Sequence, residues 1–326
     1  MADWHIYTGV PGAISDIAQL PPPPKWRDFR GGPLVARPLP HLDQELDHQA
    51  VSYRPDPPAV EQINAALYLR RPLLVTGRPG TGKSTLAYAV ARELGMGPVL
   101  YWPITSRSTL RDGLYQYDPL TRLAAASRTG DDDTEDIGRY IRLGPLGTAL
   151  LPYEHPRVLL IDEIDKSDID LPNDLLTVFE KGEYEVVELS RGGRGSSMVT
   201  SADNQQVPVA DGIVQCRAFP LVIMTSNRER EFPPAFLRRC IQLELREPDA
   251  AKLRQIIDAH MAELAGQSDD LIQLFLTRKG QGQLATDQLL HAVYLTNEAA
   301  KKGSVDRLSL AERIMPFLSG GPPDDL

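Results

Sequence analysis

Residues 77–84 read GRPGTGKS, a G-x-x-x-x-G-K-[ST] spacing. That pattern suits a loop wrapped around a phosphate. Gly77, Gly80 and Gly82 let successive backbone N–H groups curve toward one anion, with Pro79 and Thr81 filling the turn. A helix opening behind the loop adds the partial positive charge of its first turn. Lys83 is the residue expected to span a β- and a γ-phosphate. Ser84 is expected to ligate Mg2+, and Thr85 follows it into the helix.

Two further stretches carry chemistry of the same kind. VLLIDEID (158–165) is an apolar run that closes on Asp162 and Glu163. Ligands of a parallel sheet gather at the carboxyl ends of its strands. Asp162 is therefore expected to face the Mg2+ held by Ser84, and Glu163 to polarise a water for in-line attack on the γ-phosphate. The neighbouring Asp165 and Lys166 read as a solvated turn or a contact between subunits. VIMTSN ends on Asn227, expected to hydrogen-bond the γ-phosphate or the attacking water; capping of the next turn is the alternative. AFLRRC (235–240) then sets Arg238 and Arg239 at the mouth of a short alternating run. They can be surface residues, or hold a phosphate of this chain or of a neighbour.

These residues need a frame, and the pattern supplies one. PPAVEQINAALYL (57–69) has apolar residues at helical spacing, Val60, Ile63 and Leu67; KSTLAYAVAREL repeats this through Leu86, Val90 and Leu94. Between them RPLLVTG is a short apolar strand. Further strands are expected at 97–104, 156–165, 219–227 and in CIQLEL (240–245). Strands alternating with helices predict an α/β fold with a five-stranded parallel sheet. After residue 247 the chain reads as helices alone, a small α-helical lid over 248–320 with a tail at 321–326. The first fifty residues form a proline-rich arm, and 51–247 the phosphate-loop domain. Of the 28 prolines, 11 fall in the first sixty residues, so this stretch is expected to lie extended on the body or on a partner, docked by Trp4, Tyr7, Trp26 and Phe29. Two segments interrupt the alternation. One, 105–150, holds the acidic run DDDTED; the other, 182–218, reads as a hairpin with its glycines at a mobile tip.

Composition narrows the function classes. The 326 residues are 42% hydrophobic and 24% charged, with a net charge of −9. The pI near 5.2 argues against non-specific grip on nucleic acid or anionic membrane. Two cysteines and six scattered histidines show no metal-ligand spacing, and no disulfide framework is expected. The opening MADWHIYTGV lacks the basic start and apolar core of a signal peptide, and the low cysteine count fits a reducing cytoplasm best.

The order GRPGTGKST, LLIDEIDKS, VIMTSN, FLRRC and then a helical domain resembles an AAA+ ATPase over about residues 51–320. RLGPLGTALL before the acidic strand and LPNDLLTVFEKGEYEV after it are similar to the MoxR-type group. The resemblance implies that 105–150 is an insertion in the second helix and 183–218 a hairpin before the fourth strand. It implies ATP and Mg2+ as ligands and a hexameric ring that hydrolyses ATP to remodel a protein partner, often one with a von Willebrand factor A domain. In such a ring one of Arg238 and Arg239, with Arg239 preferred, would reach the neighbour's γ-phosphoryl group, an effect worth roughly 10³–10⁵ in rate. One departure stands out. The family places a sensor arginine at the start of the third lid helix, and here GQGQLATDQLL has none; Arg278 and Lys279 are the nearest substitutes. An ATP-gated assembly switch is the alternative function, and a nucleic-acid motor fits the acidic chain less well.

Overall fold

The computed structural model describes residues 4–38, 44–129, 136–191, 195–282, 284–303 and 306–317. Five short strands build the main sheet: β1 (Leu73–Thr76), β2 (Leu100–Pro103), β3 (Val158–Asp162), β4 (Leu221–Ser226) and β5 (Ile241–Glu244). All pair in parallel, in the order β5-β1-β4-β3-β2. The three inner strands are apolar on both faces because both faces are covered. Edge strand β2 instead alternates, with Leu100 and Trp102 inward and Tyr101 and Pro103 outward; a proline costs no ladder hydrogen bond at an edge.

Strand period two splits the core. Leu73, Val75, Leu160 and Ile223 pack beneath helices α2 (Pro57–Leu69) and α3 (Lys83–Glu93), which follow α1 (Gln44–Ser52). Leu74, Leu159, Ile161 and Met224 face the other way, toward Leu175 and Phe179 of α4 (Leu171–Lys181). The short α5 (Pro234–Arg239) joins β4 to β5. Beyond β5, α6 (Ala250–His260), α7 (Asp269–Lys279), α8 (Thr286–Lys302) and α9 (Arg307–Ile314) close a separate apolar cluster around Leu253, Phe275, Leu289 and Val293, forming the helical lid.

The two interruptions fold together, which the sequence does not show. Strands 115–117 and 141–143 from the first, and 196–200, 206–210, 213–215 and 183–185 from the second, make one six-stranded sheet in that order. The hairpin exists, but its turn lies at 201–205, where Ser201 N–H donates to the Gln205 carbonyl and Asn204 takes a left-handed φ of 62°. The glycines expected at the tip are upstream: Gly192 and Gly193 lie outside the described residues, as does most of the acidic run. Arg157, fully buried, ties this turn to the start of β3 through Asp203 at 2.9 Å.

The arm lies on the body. Asn64 of α2, fully buried, accepts the N–H groups of Ile6 and Tyr7 at 2.8 and 3.0 Å and donates to the Tyr7 carbonyl. Glu93 accepts those of Thr8 and Gly9. Proline-rich chain makes few internal hydrogen bonds, so such side chains take over its backbone groups. Tyr7 is buried, Phe29 packs at a tilt against Phe219 with ring centroids 5.8 Å apart, and Trp4 meets Tyr68 edge-on; Trp26, expected to dock, is 79% exposed. Cys216 and Cys240 are free and buried, and burial pushes both thiols up to about 12. Among the described residues no helix is long and apolar enough to cross a membrane.

Candidate nucleotide site

β1 ends at Thr76 and α3 begins at Lys83, so the loop between them hangs at the carboxyl edge of the sheet. Gly80 and Gly82 hold φ of +74° and +81°, a region costly for other residues. A Cβ on Gly80 would meet Ala285 of the lid at 2.7 Å, so the loop has no room for a side chain there. Lys83 is 8% exposed, and its ammonium donates to the Gly77 and Arg78 carbonyls at 2.8 and 2.9 Å. Burial lowers its pKa, against the pull of Asp165, Asp162 and Glu163. It forms no ion pair among the described residues, so its charge is available to a phosphate. Thr81, Gly82 and Thr85 line a cleft of about 340 Å³ with Tyr53 of the body and His260, Thr286 and Leu290 of the lid.

Register brings the acidic strand to this loop. Met224 of β4 lies opposite Ile161 of β3, so the next residues, Thr225 and Asp162, are neighbours. Thr225 Oγ1 donates to Asp162 Oδ1 at 2.6 Å and accepts the Glu163 N–H at 2.8 Å. Ser84 Oγ donates to the same Asp162 oxygen at 2.7 Å. The residues expected to share Mg2+ are thus already in contact, and a hydroxyl beside a carboxylate is a fitting oxygen donor pair for that ion. Glu163 takes the left-handed region at φ 61°, ψ 47°, a conformation uncommon outside glycine and often found at functional sites. Its carboxylate is about half exposed and binds Lys166 Nζ at 2.7 Å, which raises the Lys166 pKa.

Asp165 corrects the expectation of a solvated turn. It is 4% exposed, and its Oδ2 accepts the backbone N–H groups of Asn227 and Glu229 at 2.9 and 3.0 Å. Its other oxygen is buried without a partner. The left-handed Glu163 turns the chain into a single helical turn, 164–166, which swings Asp165 back under the end of β4. Asn227 is therefore held by its backbone, and its side chain makes no hydrogen bond with the described residues. Capping, the alternative for Asn227, is not what its side chain does here. Asp165→Ala leaves two N–H groups without their acceptor and is expected to cost ~1–3 kcal/mol, measured as a lowered denaturant midpoint. An unchanged midpoint would show the loop is held elsewhere.

The arginine pair separates. Arg239 is paired with Glu180 of α4 and donates to the Ala235 carbonyl at 3.2 Å. Arg238 is exposed, and its side chain makes no hydrogen bond or ion pair with the described residues. Arg71, just before β1, donates through Nε to the Arg239 carbonyl at 3.0 Å and also reaches that of Arg238. Those are orphan carbonyls at the end of a helix, which a guanidinium can satisfy. The helix bearing both arginines is thus fastened to the strand that carries the phosphate-type loop, a link between residues too far apart in sequence to foresee.

The lid touches the loop by charge. Glu247 pairs with Arg78 of the loop at 2.9 Å and with Lys279 of α7 at 3.6 Å. Arg278 turns away; it lies over the Phe317 ring and donates to the Met315 carbonyl. Of the two substitutes for a lid arginine, only Lys279 faces the site.

Strand order and loop together define a P-loop nucleoside-triphosphatase fold. A family model, the AAA domain of the dynein-related subfamily, matches residues 72–240, and the chain belongs to that family. It is an ATPase of that general class. Among solved structures, two point mutants of RuvB from Thermotoga maritima are similar. The first shares 16% identity with a TM-score of 0.46, covering 86% of this chain and 72% of its own. The second shares 15% with a TM-score of 0.44, covering 78% and 65%. Among curated proteins none matches the chain.

Proposed function

We propose that this chain is a MoxR-like AAA+ ATPase that hydrolyses Mg-ATP at the interfaces of a homo-oligomeric, hexameric ring and uses the cycle to remodel a protein partner, one with a von Willebrand factor A domain being the favoured class. The observation that carries the reading is the contact of Ser84 with Asp162, which unites phosphate-type loop and acidic strand and sets Glu163 beside them.

In this reading the loop from Gly77 to Gly82, with Pro79 and Thr81, wraps the phosphates; Lys83 neutralises them and Thr85 borders the cleft. The apolar side of that cleft, Tyr53, Ile256 and Leu290, suits a purine ring. Ser84 and Asp162 would hold Mg2+, which would supply charge neutralisation to the bound phosphates. Glu163 leaves Lys166 to take a proton from the attacking water, and Asn227 orients that water. Arg238, whose side chain has no partner among the described residues, serves the neighbouring subunit, and Arg239 holds α5 against α4. Binding at an interface couples nucleotide to ring state, because a ligand shifts an equilibrium only by its differential affinity.

The ring reading has a direct check. Mg-dependent ATP turnover per chain is expected to rise with protein concentration as rings assemble, followed by mass measurement alongside the rate. A rate per chain that is constant while the mass stays monomeric contradicts it. A second reading, an ATP-gated assembly switch, draws on the Lys166 contact that occupies Glu163 and on the lid's lack of an arginine at the loop. Partner release under a non-hydrolysable analogue separates the two, since a switch works without turnover.

A further inference from the structure

At the amino edge of the main sheet, opposite the nucleotide site, the arm borders an open cleft of about 550 Å³. Pro21, Pro22 and Pro23 wall one side, and Phe29 and Phe219 give an aromatic side. Four arginines border it, Arg27, Arg30, Arg70 and Arg217, against two carboxylates, Asp28 and Glu154. On a chain of net charge −9 this is a cationic pocket.

Arg70 is the informative residue. It is 8% exposed, and its guanidinium bonds only to carbonyl oxygens, those of Leu67, Pro21 and Tyr68. It forms no ion pair among the described residues, and burial alone pulls its pKa down to about 10. A buried charge without a counter-charge is costly. The backbone adds to that cost: Arg70 caps α2 in the left-handed region at φ 51°, where glycine is the unstrained choice. Arg27 repeats the pattern, donating to the Phe179 carbonyl and lying over the Phe219 ring without an ion pair among the described residues. At the mouth, Arg217 has no hydrogen bond or ion pair with the described residues, and Arg30 is largely exposed, with only a long contact to Asp28 at 3.4 Å.

We propose that this cleft binds a small organic anion, a phosphate or carboxylate carried on an apolar or aromatic body. The guanidiniums would supply the counter-charge and forked donors that anionic oxygens accept. The proline wall and the two phenylalanines would take the body of the ligand, and the volume is in the range of small-molecule sites. The arm is then a wall of a second site, fastened there by the Arg70 guanidinium on the Pro21 carbonyl at 2.7 Å.

Phenyl phosphate and benzoate test this by calorimetry, the two arms distinguishing phosphate from carboxylate. The protein used is the full chain carrying Lys83→Ala, which removes phosphate binding at the nucleotide loop. One equivalent of at least one probe is expected to bind, and Arg30→Ala with Arg217→Ala is expected to weaken it by about tenfold to a hundredfold. Both positions are exposed, so the variant keeps its fold; an unchanged melting curve verifies that. Binding of neither probe, or affinity unchanged in the double variant, overturns the proposal. Neither outcome bears on ATP hydrolysis, which is read at the other edge of the sheet.

Discussion

Glu163→Gln is expected to bind ATP within a few-fold of the natural chain and to lose turnover by about 10²–10⁴, the usual worth of a positioned general base. The substitution keeps shape and removes the proton-accepting charge. Binding should survive because the groups proposed to wrap phosphate lie on another element: Lys83 and the loop follow β1, and Glu163 follows β3. The fold should survive as well. The Glu163–Lys166 pair is exposed on both sides, and such pairs contribute little to stability. Glu163 is held mainly through its N–H on Thr225, which a glutamine retains. Filter binding and phosphate release on the same sample decide the matter. Normal phosphate release from the variant would place water activation elsewhere.

Arg238→Ala should act across the interface. Turnover is expected to fall by roughly 10³–10⁵, the range for a trans-acting arginine, with ATP affinity altered little. Arg239→Ala is a different lesion. It breaks the tie to Glu180 and loosens α5, so its effect should include a lowered melting point. The two variants therefore differ in kind: Arg238→Ala loses turnover at unchanged stability, Arg239→Ala loses some of both. Equal melting points with turnover lost only in Arg239→Ala would reverse the assignment.

How much of this could be read from residues alone follows from distance along the chain. The phosphate-type loop is legible because eight consecutive residues carry its chemistry and its conformation together. The acidic strand end and Asn227 are legible because an apolar run closing on polar residues marks the carboxyl edge of a parallel sheet. The five strands follow from the same alternation, with ends shifted by a few residues. The links between elements were hidden. Thr225 meets Asp162 only through the register of β4 on β3, and no local pattern specifies register between strands some sixty residues apart. Asp165 reads as solvated because an acid after an acidic pair usually is; the left-handed Glu163 reverses that, and nothing in DEID announces it. The hairpin turn was misplaced because glycines are the strongest turn signal, whereas here Asn204 takes the positive φ. Arg71 and Arg239 show the same limit, since a guanidinium that caps a distant helix has the sequence signature of any surface arginine.

The central claim is that each ATP is hydrolysed between two subunits, the loop from one and Arg238 from the next. Mixing tests it most directly. Lys83→Ala and Arg238→Ala chains are each expected to be inactive alone. Combined in equal amounts and allowed to assemble, an intact loop meets an intact arginine at about a quarter of the interfaces of a randomly mixed ring. Turnover should then recover toward that fraction of the natural rate. A mixture that stays as inactive as its separate parts, although mass measurement shows mixed rings, would contradict a shared site.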